Sequence, residues 1–98
     1  MYDLIVIGAG PSGLFCAINC AMRGMRVCLL EKNSSAGKKF LLSGSGQCNL
    51  TNAADAGDFL KHYGPASRFV KPALLDFSGG DLVSFFEKKN LRFVQLNN

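Results

Sequence analysis

The stretch Gly8-Ala9-Gly10-Pro11-Ser12-Gly13 constrains the fold of this chain more than any other. Three glycines and a proline in six residues neither continue a strand nor suit a helix interior. They mark a sharp turn, and the flanks show what it joins. Before it, residues 3–7 (DLIVI) form a short apolar run rich in β-branched residues, the pattern of a strand buried on both faces. After it, a helical pattern extends to about Arg23, with Gly24 placed as the C′ residue that stops it. A second apolar run, Val27–Leu30, ends at Glu31. Strand, glycine turn, helix and strand in this span make a βαβ unit with parallel strands and a right-handed crossover. The fold class is therefore α/β.

The glycine spacing is that of a dinucleotide turn, and each position has a physical task. Gly8 permits the tight exit from the strand, Gly10 lets a pyrophosphate approach the backbone, and Gly13 lets the helix pack closely. Ala17 and Ala21 extend a small-residue face at intervals of four. Pro11 and Ser12 open the helix, where the missing proline N–H costs nothing and the free amides and positive dipole end face an anion. Glu31 follows Gly13 by 18 residues at the carboxyl end of the second strand. A carboxylate there accepts hydrogen bonds from a ribose diol and repels a 2′-phosphate, which favours the adenosine of FAD or NAD over that of NADP. A glycine turn alone is a weak signal, but strand, turn, helix and acidic residue in register form a strong one. FAD and NAD enzymes share this half-site, so the cofactor stays open at this point.

Length and composition narrow the remainder. The 98 residues hold one modest domain, and 48% hydrophobic with 18% charged residues excludes a disordered chain. The net charge of +4 is scattered, apart from Lys38-Lys39 and Lys88-Lys89, so no stripe points to nucleic acid. The first apolar run is too short for a secretory signal or a membrane span, and the chain is expected to be cytoplasmic, with its thiols reduced and no membrane partner. Asn33-Ser34-Ser35 and Asn49-Leu50-Thr51 match the glycosylation pattern, which has no meaning without secretion. Cys16, Cys20, Cys28 and Cys48 form no C-x-x-C pair. Metal binding is not expected; the first three suit small buried hydrophobes, and His62 suits a helix surface.

Residues 32–52 discriminate further. Gly37-Lys38 ends like a phosphate loop, but Lys32 stands where its first glycine belongs and Lys39 where its hydroxyl belongs. A plain linker does not fit Phe40-Leu41-Leu42 and Cys48; an ordered glycine-built loop does. The run from Gly37 to Asn52, GKKFLLSGSGQCNLTN, resembles the signature of the bacterial BaiN-like, or aminoacetone-oxidase-like, FAD-binding flavoproteins. In that family the glycine turn is followed by G-[RK]-K…S-G-G-G-R-C-N-x-T-N. The match takes in the glycine turn and Glu31-Lys32, and residues 77–90 (FSGGDLVSFFEKKN) also resemble the family's course.

The resemblance implies FAD in a Rossmann-like domain, with adenosine at Glu31, pyrophosphate at Gly10–Gly13, and the 37–49 loop beside the ribityl chain and flavin. The cofactor contacts it implies are Gly8, Gly10, Pro11, Ser12, Gly13, Glu31, Lys32, Gly37, Lys38, Ser43, Gly44 and Asn49. Lys38 or Lys39 is then either a counter-charge to phosphate or reduced flavin, or solvated surface; Ser43 and Asn49 would donate to flavin edges. Gln47 replaces the family's arginine and Ser45 a glycine, which removes a fixed cation and its fork. Cys48 would lie close to the flavin; packing is its expected role, because nothing nearby in sequence supplies a base. No catalytic residue and no metal ligand is assigned.

Beyond the loop, residues 54–76 suggest one or two short helices, broken around Gly64-Pro65 and disturbed at Pro72. Ser78 or Gly80 can start another that ends at Asn90, and residues 91–96 (LRFVQL) suggest a strand. The whole chain is thus expected to be the N-terminal portion of an FAD-binding Rossmann-like domain: βαβ 3–31, loop 32–52, helical segment 54–90 and strand 91–96. Family members are several times longer and carry a substrate-proximal domain. The expectation is a truncated chain, inactive alone, whose two-strand sheet leaves one apolar face uncovered. The parent would be a flavin-dependent oxidoreductase acting on a small molecule, with NAD(P)H a candidate electron donor. The alternatives are an NAD-binding dehydrogenase half-domain and a non-catalytic dinucleotide-binding module.

Overall fold

The computed structural model describes residues 1–38 and 50–95. The chain divides into two compact units, residues 1–49 and 50–98. The first is the βαβ unit. Strand β1 (Leu4–Ile7) runs into helix α1 (Pro11–Met22), and β2 (Val27–Leu30) returns parallel to β1. The register pairs Leu4 with Val27, Ile5 with Cys28, Val6 with Leu29 and Ile7 with Leu30. Asp3, expected inside the strand, instead ties its base. Its N–H donates to the Arg26 carbonyl at 2.8 Å, and its carboxylate accepts the Arg26 N–H at 2.8 Å. At the other end the Gly8 N–H donates to the Leu30 carbonyl at 2.8 Å, so the ladder reaches the glycine turn.

Local chemistry sets the helix end. Gly24 adopts φ +85°, its N–H donates to the Ala21 carbonyl, and the Met25 N–H reaches back to the Cys20 carbonyl. That pair of bonds is a Schellman motif, with glycine at the position that needs the left-handed conformation. One face of the sheet lies under α1; on the other, Ile5 is 57% and Ile7 86% exposed. β1 is thus buried on one face, not both, because two strands and one helix supply one covering layer. The small-residue face of α1 also stops early, since Ala17 is half-buried and Ala21 exposed. A four-residue strand spans roughly 13 Å and a twelve-residue helix about 18 Å, so the last turn of α1 overhangs the sheet.

The second unit is helical. Helix α2 (Ala56–Lys61) starts at Asp55, whose carboxylate accepts the Asp58 N–H at 2.8 Å. A 3₁₀ turn (Gly64–Ala66) makes the expected break and leads into α3 (Ser67–Asp76). Pro72 lies inside α3, which continues through it to Asp76. Helix α4 (Gly79–Glu87) opens on a full capping box: Asp81 N–H to Ser78 Oγ at 3.2 Å, and Ser78 N–H to Asp81 Oδ2 at 2.8 Å. Residues 51–52 cross this end closely, and a Cβ on Gly79 would lie 3.0 Å from Thr51 Oγ1 and 3.2 Å from the Asn52 carbonyl oxygen.

Residues 91–95 form no strand, contrary to the expectation for 91–96; Leu96 lies outside the described residues. After α4 the chain reverses at Asn90, with φ +69°, and the Leu91 N–H donates to the Phe86 carbonyl at 3.1 Å. Phe93 then sits edge-on to Phe86, with ring centroids 6.2 Å apart. The alternating residues fold back onto their own helix, where an aromatic contact takes the place of a ladder.

Candidate functional site

Helix α1 and the two strands bring the predicted phosphate and ribose residues together at the carboxyl ends of β1 and β2. Gly8 takes φ +101°, outside the range of most side chains, and so turns the chain sharply out of β1. A Cβ on Gly13 would run into the Gly8 carbonyl oxygen and lie 3.1 Å from the Gly8 carbonyl carbon and 3.4 Å from Val6 Cγ1. The close approach at Gly13 is therefore chiefly to the turn's own backbone. At Gly10 the opposite holds, since nothing lies within 4 Å of where a Cβ would be. Gly10 is the N-cap of α1 and Pro11 its first residue; being glycine, the N-cap supplies no side-chain cap, and the first turn holds no acidic group. The first amides and the dipole end of α1 are left for an external anion.

Glu31 closes the other side. Its Oε1 accepts the Ala9 N–H at 2.9 Å and its Oε2 the Asn33 N–H at 2.8 Å. These amides, Asn33 first and Ala9 next, hold the carboxyl below its ordinary range, with a smaller contribution from the Lys32 charge. The group is an anion at neutral pH, and a carboxylate has more acceptor positions than these two amides occupy. Beyond it the chain returns to the turn, where the Gly37 N–H donates to the Ala9 carbonyl at 2.7 Å. Gly37 is buried and holds φ +70°.

Ala9 is thus the hub, 1% exposed, with its N–H on Glu31 and its carbonyl on Gly37. Sequence reasoning passed over it as a spacer between glycines, and over Asn33, which holds Glu31 chiefly through its backbone N–H. Their one sequence signal is size at Ala9, where a larger side chain would not fit. Lys32 and Lys38 are exposed, as are Pro11 and Ser12. Ser43, Gly44 and Asn49 lie outside the described residues, as do Lys39, Gln47 and Cys48. The arrangement fits a dinucleotide: open space at Gly10, uncapped amides beside it, and an ionised carboxylate at the end of β2.

Other groups lie apart from this cluster. Cys16 is exposed and Cys20 and Cys28 are half-buried, so the expectation of three buried thiols fails most clearly at Cys16, one residue off the face that Ala17 turns to the sheet. Burial, and then the neighbouring Cys16, pushes the Cys20 thiol up. Among the described residues no three His, Cys, Asp or Glu side chains cluster as metal ligands. No helix among them is long and apolar enough to cross a membrane. Within the second unit, a cleft of about 270 Å³ is lined by Asn52, Ala54, Phe59, His62 and Tyr63.

Comparison with known proteins agrees with this geometry. Residues 2–98 match the HI0933-like protein Rossmann domain. The chain is 35% identical over 91 residues to a ribosomal RNA dihydrouridine synthase of Escherichia coli, covering 92% of this chain and 22% of that protein. It is 36% identical over 88 residues to a 3-dehydro-bile acid delta(4,6)-reductase of Clostridium scindens, covering 88% of this chain and 21% of that protein. Over 43 residues, 44% of this chain and 6% of the relative, it is 49% identical to a multifunctional alkene reductase/demethylase of Caballeronia cordobensis. The chain spans about a fifth of the length of the first two relatives. With the matched residues running from Tyr2 to the last position, and with the glycine turn and its carboxylate built as described, this chain belongs to the HI0933-like family of FAD-dependent oxidoreductases and carries its dinucleotide-binding Rossmann domain.

Proposed function

We propose that this chain is the FAD-binding part of a flavin-dependent oxidoreductase that moves hydride between a substrate and flavin N5. The observation that carries the dinucleotide site is the ionised Glu31 carboxylate, held by the Ala9 amide at the edge of a turn whose Gly10 faces open space, and membership of the family supports FAD as the dinucleotide. Gly10, Pro11, Ser12 and Gly13 would bind the pyrophosphate, and Glu31 the adenosine ribose. Lys32, Gly37, Lys38, Ser43, Gly44 and Asn49 would complete the cofactor contacts along the segment after β2. The chemistry a bound flavin supplies is reversible acceptance of hydride; these residues bind and orient it.

The names of the three relatives support a substrate class for the parent protein. A dihydrouridine product, a delta(4,6)-reductase and an alkene reductase each imply saturation of a carbon–carbon double bond. We therefore favour reduction of an activated alkene, with NAD(P)H as electron donor. The expectation that nucleic acid is no partner is not carried forward, because the Escherichia coli relative is named for ribosomal RNA.

The test is a visible spectrum of the purified chain followed by titration with FAD. Bound FAD is expected to raise the melting temperature, and Glu31→Ala to weaken its binding. No flavin absorbance and no thermal shift with FAD, alongside a shift with NAD, would favour the dehydrogenase half-domain instead.

A further inference from the structure

We propose that Gly37 is a positioning residue of the dinucleotide site: its backbone N–H grips the Ala9 carbonyl and so aims the Gly10 N–H at the phosphates. The proposal rests on the dinucleotide reading above and replaces a direct cofactor contact at Gly37 with a role exercised through Ala9. A trans peptide is planar, so the carbonyl of one residue and the N–H of the next point in opposite directions. The Ala9 carbonyl and the Gly10 N–H belong to one such unit, and no peptide bond among the described residues is cis. Whatever holds the carbonyl therefore sets the direction of the amide.

Gly37 holds it at 2.7 Å, while Glu31 holds the preceding peptide through the Ala9 N–H at 2.9 Å. Both peptide units flanking Ala9 are pinned, and the residue is buried, at 1% exposure. The two clamps come from one segment, the exit of β2. Gly10 itself has no Cβ, and among the described residues nothing lies within 4 Å of where one would be, so a phosphate can come close to the backbone at this point of the turn.

Space does not dictate glycine at position 37. A Cβ there would meet only Leu14 Cδ1 at 3.8 Å, an ordinary contact. The backbone does, because φ is +70°, a conformation most side chains resist and asparagine tolerates. Alanine at this position should displace the N–H from Ala9, and asparagine should keep it there.

The experiment uses the ¹⁵N-labelled chain, with ADP and adenosine as probes. In the wild type, ADP should shift the Gly10 amide signal and slow exchange of the Gly37 amide, while adenosine does neither. Gly37→Ala should lower ADP affinity about tenfold, the equivalent of left-handed strain at one residue. It should leave adenosine affinity unchanged, and Gly37→Asn should restore most of the loss. Equal ADP affinity in Gly37→Ala and wild type overturns the proposal, as does equal loss toward ADP and adenosine. Where Gly37→Ala does not fold, the wild-type exchange decides, and a Gly37 amide indifferent to ADP overturns it. A wild type that binds neither ADP nor FAD overturns the dinucleotide reading itself.

Discussion

Gly13 and Gly10 share one turn, yet the structure assigns them opposite consequences on substitution by alanine. At Gly13 the new methyl group would collide with the Gly8 carbonyl oxygen, a backbone atom that rotamer changes cannot move aside. Helix α1 would have to lift from the turn or the turn would have to open. Overpacking of this kind costs about 1–3 kcal/mol, and a clash with backbone belongs at the upper end. The better helix propensity of alanine returns up to about 1 kcal/mol. The net loss is about 2 kcal/mol, from a total of roughly 5–15 kcal/mol for a domain of this size. At about 4–8 °C per kcal/mol, melting should fall by on the order of 10 °C. At Gly10 the methyl group would enter open space, so stability should stay within about 0.5 kcal/mol of wild type. That same space is where a pyrophosphate would lie, and ADP affinity should fall. Thermal unfolding by circular dichroism and ADP titration of both variants separate the two effects. A Gly13→Ala chain that melts at or above the wild-type temperature refutes the close packing of α1 on the turn. A Gly10→Ala chain that binds ADP as wild type does refutes the phosphate assignment.

Two further expectations test the energetics elsewhere. The Glu31 carboxyl is lowered in the folded state, so its contribution is fully present above its unfolded pKa of about 4.3 and is lost as pH falls through the folded value. Denaturant titrations below that pH should show a loss of stability that Glu31→Gln lacks; identical acid profiles would mean that the Ala9 and Asn33 bonds do not favour the ionised form. In the second unit, Ser78→Ala removes the oxygen that caps α4 through the Asp81 amide and should cost about 1 kcal/mol, read as a drop of about 4–8 °C in melting. An unchanged melting temperature would count against the capping box.

What the sequence determined by itself was set by local chemistry. The bounds of β2, the stop of α1 at Gly24 and a start of α4 at Ser78 or Gly80 all depend on residues within a few positions of one another, so their signals are written contiguously. The α/β class was legible for a related reason: a glycine turn constrains backbone angles that few other residues adopt, and its spacing to Glu31 follows from the length of one βα crossover; the family was legible through the resemblance carried by residues 37–52. Tertiary structure decided the rest. Residues 91–95 alternate as a strand would, but a ladder needs a partner, and Phe93 found Phe86 instead. The exposure of Ile5 and Ile7 depends on which layers surround the sheet, which a period of two does not encode. The hub at Ala9 was least visible, because both of its bonds are made by backbone groups that every non-proline residue carries. Only the folded chain shows that the N–H meets Glu31 and the carbonyl meets Gly37, which makes a spacer between glycines the joint of the site.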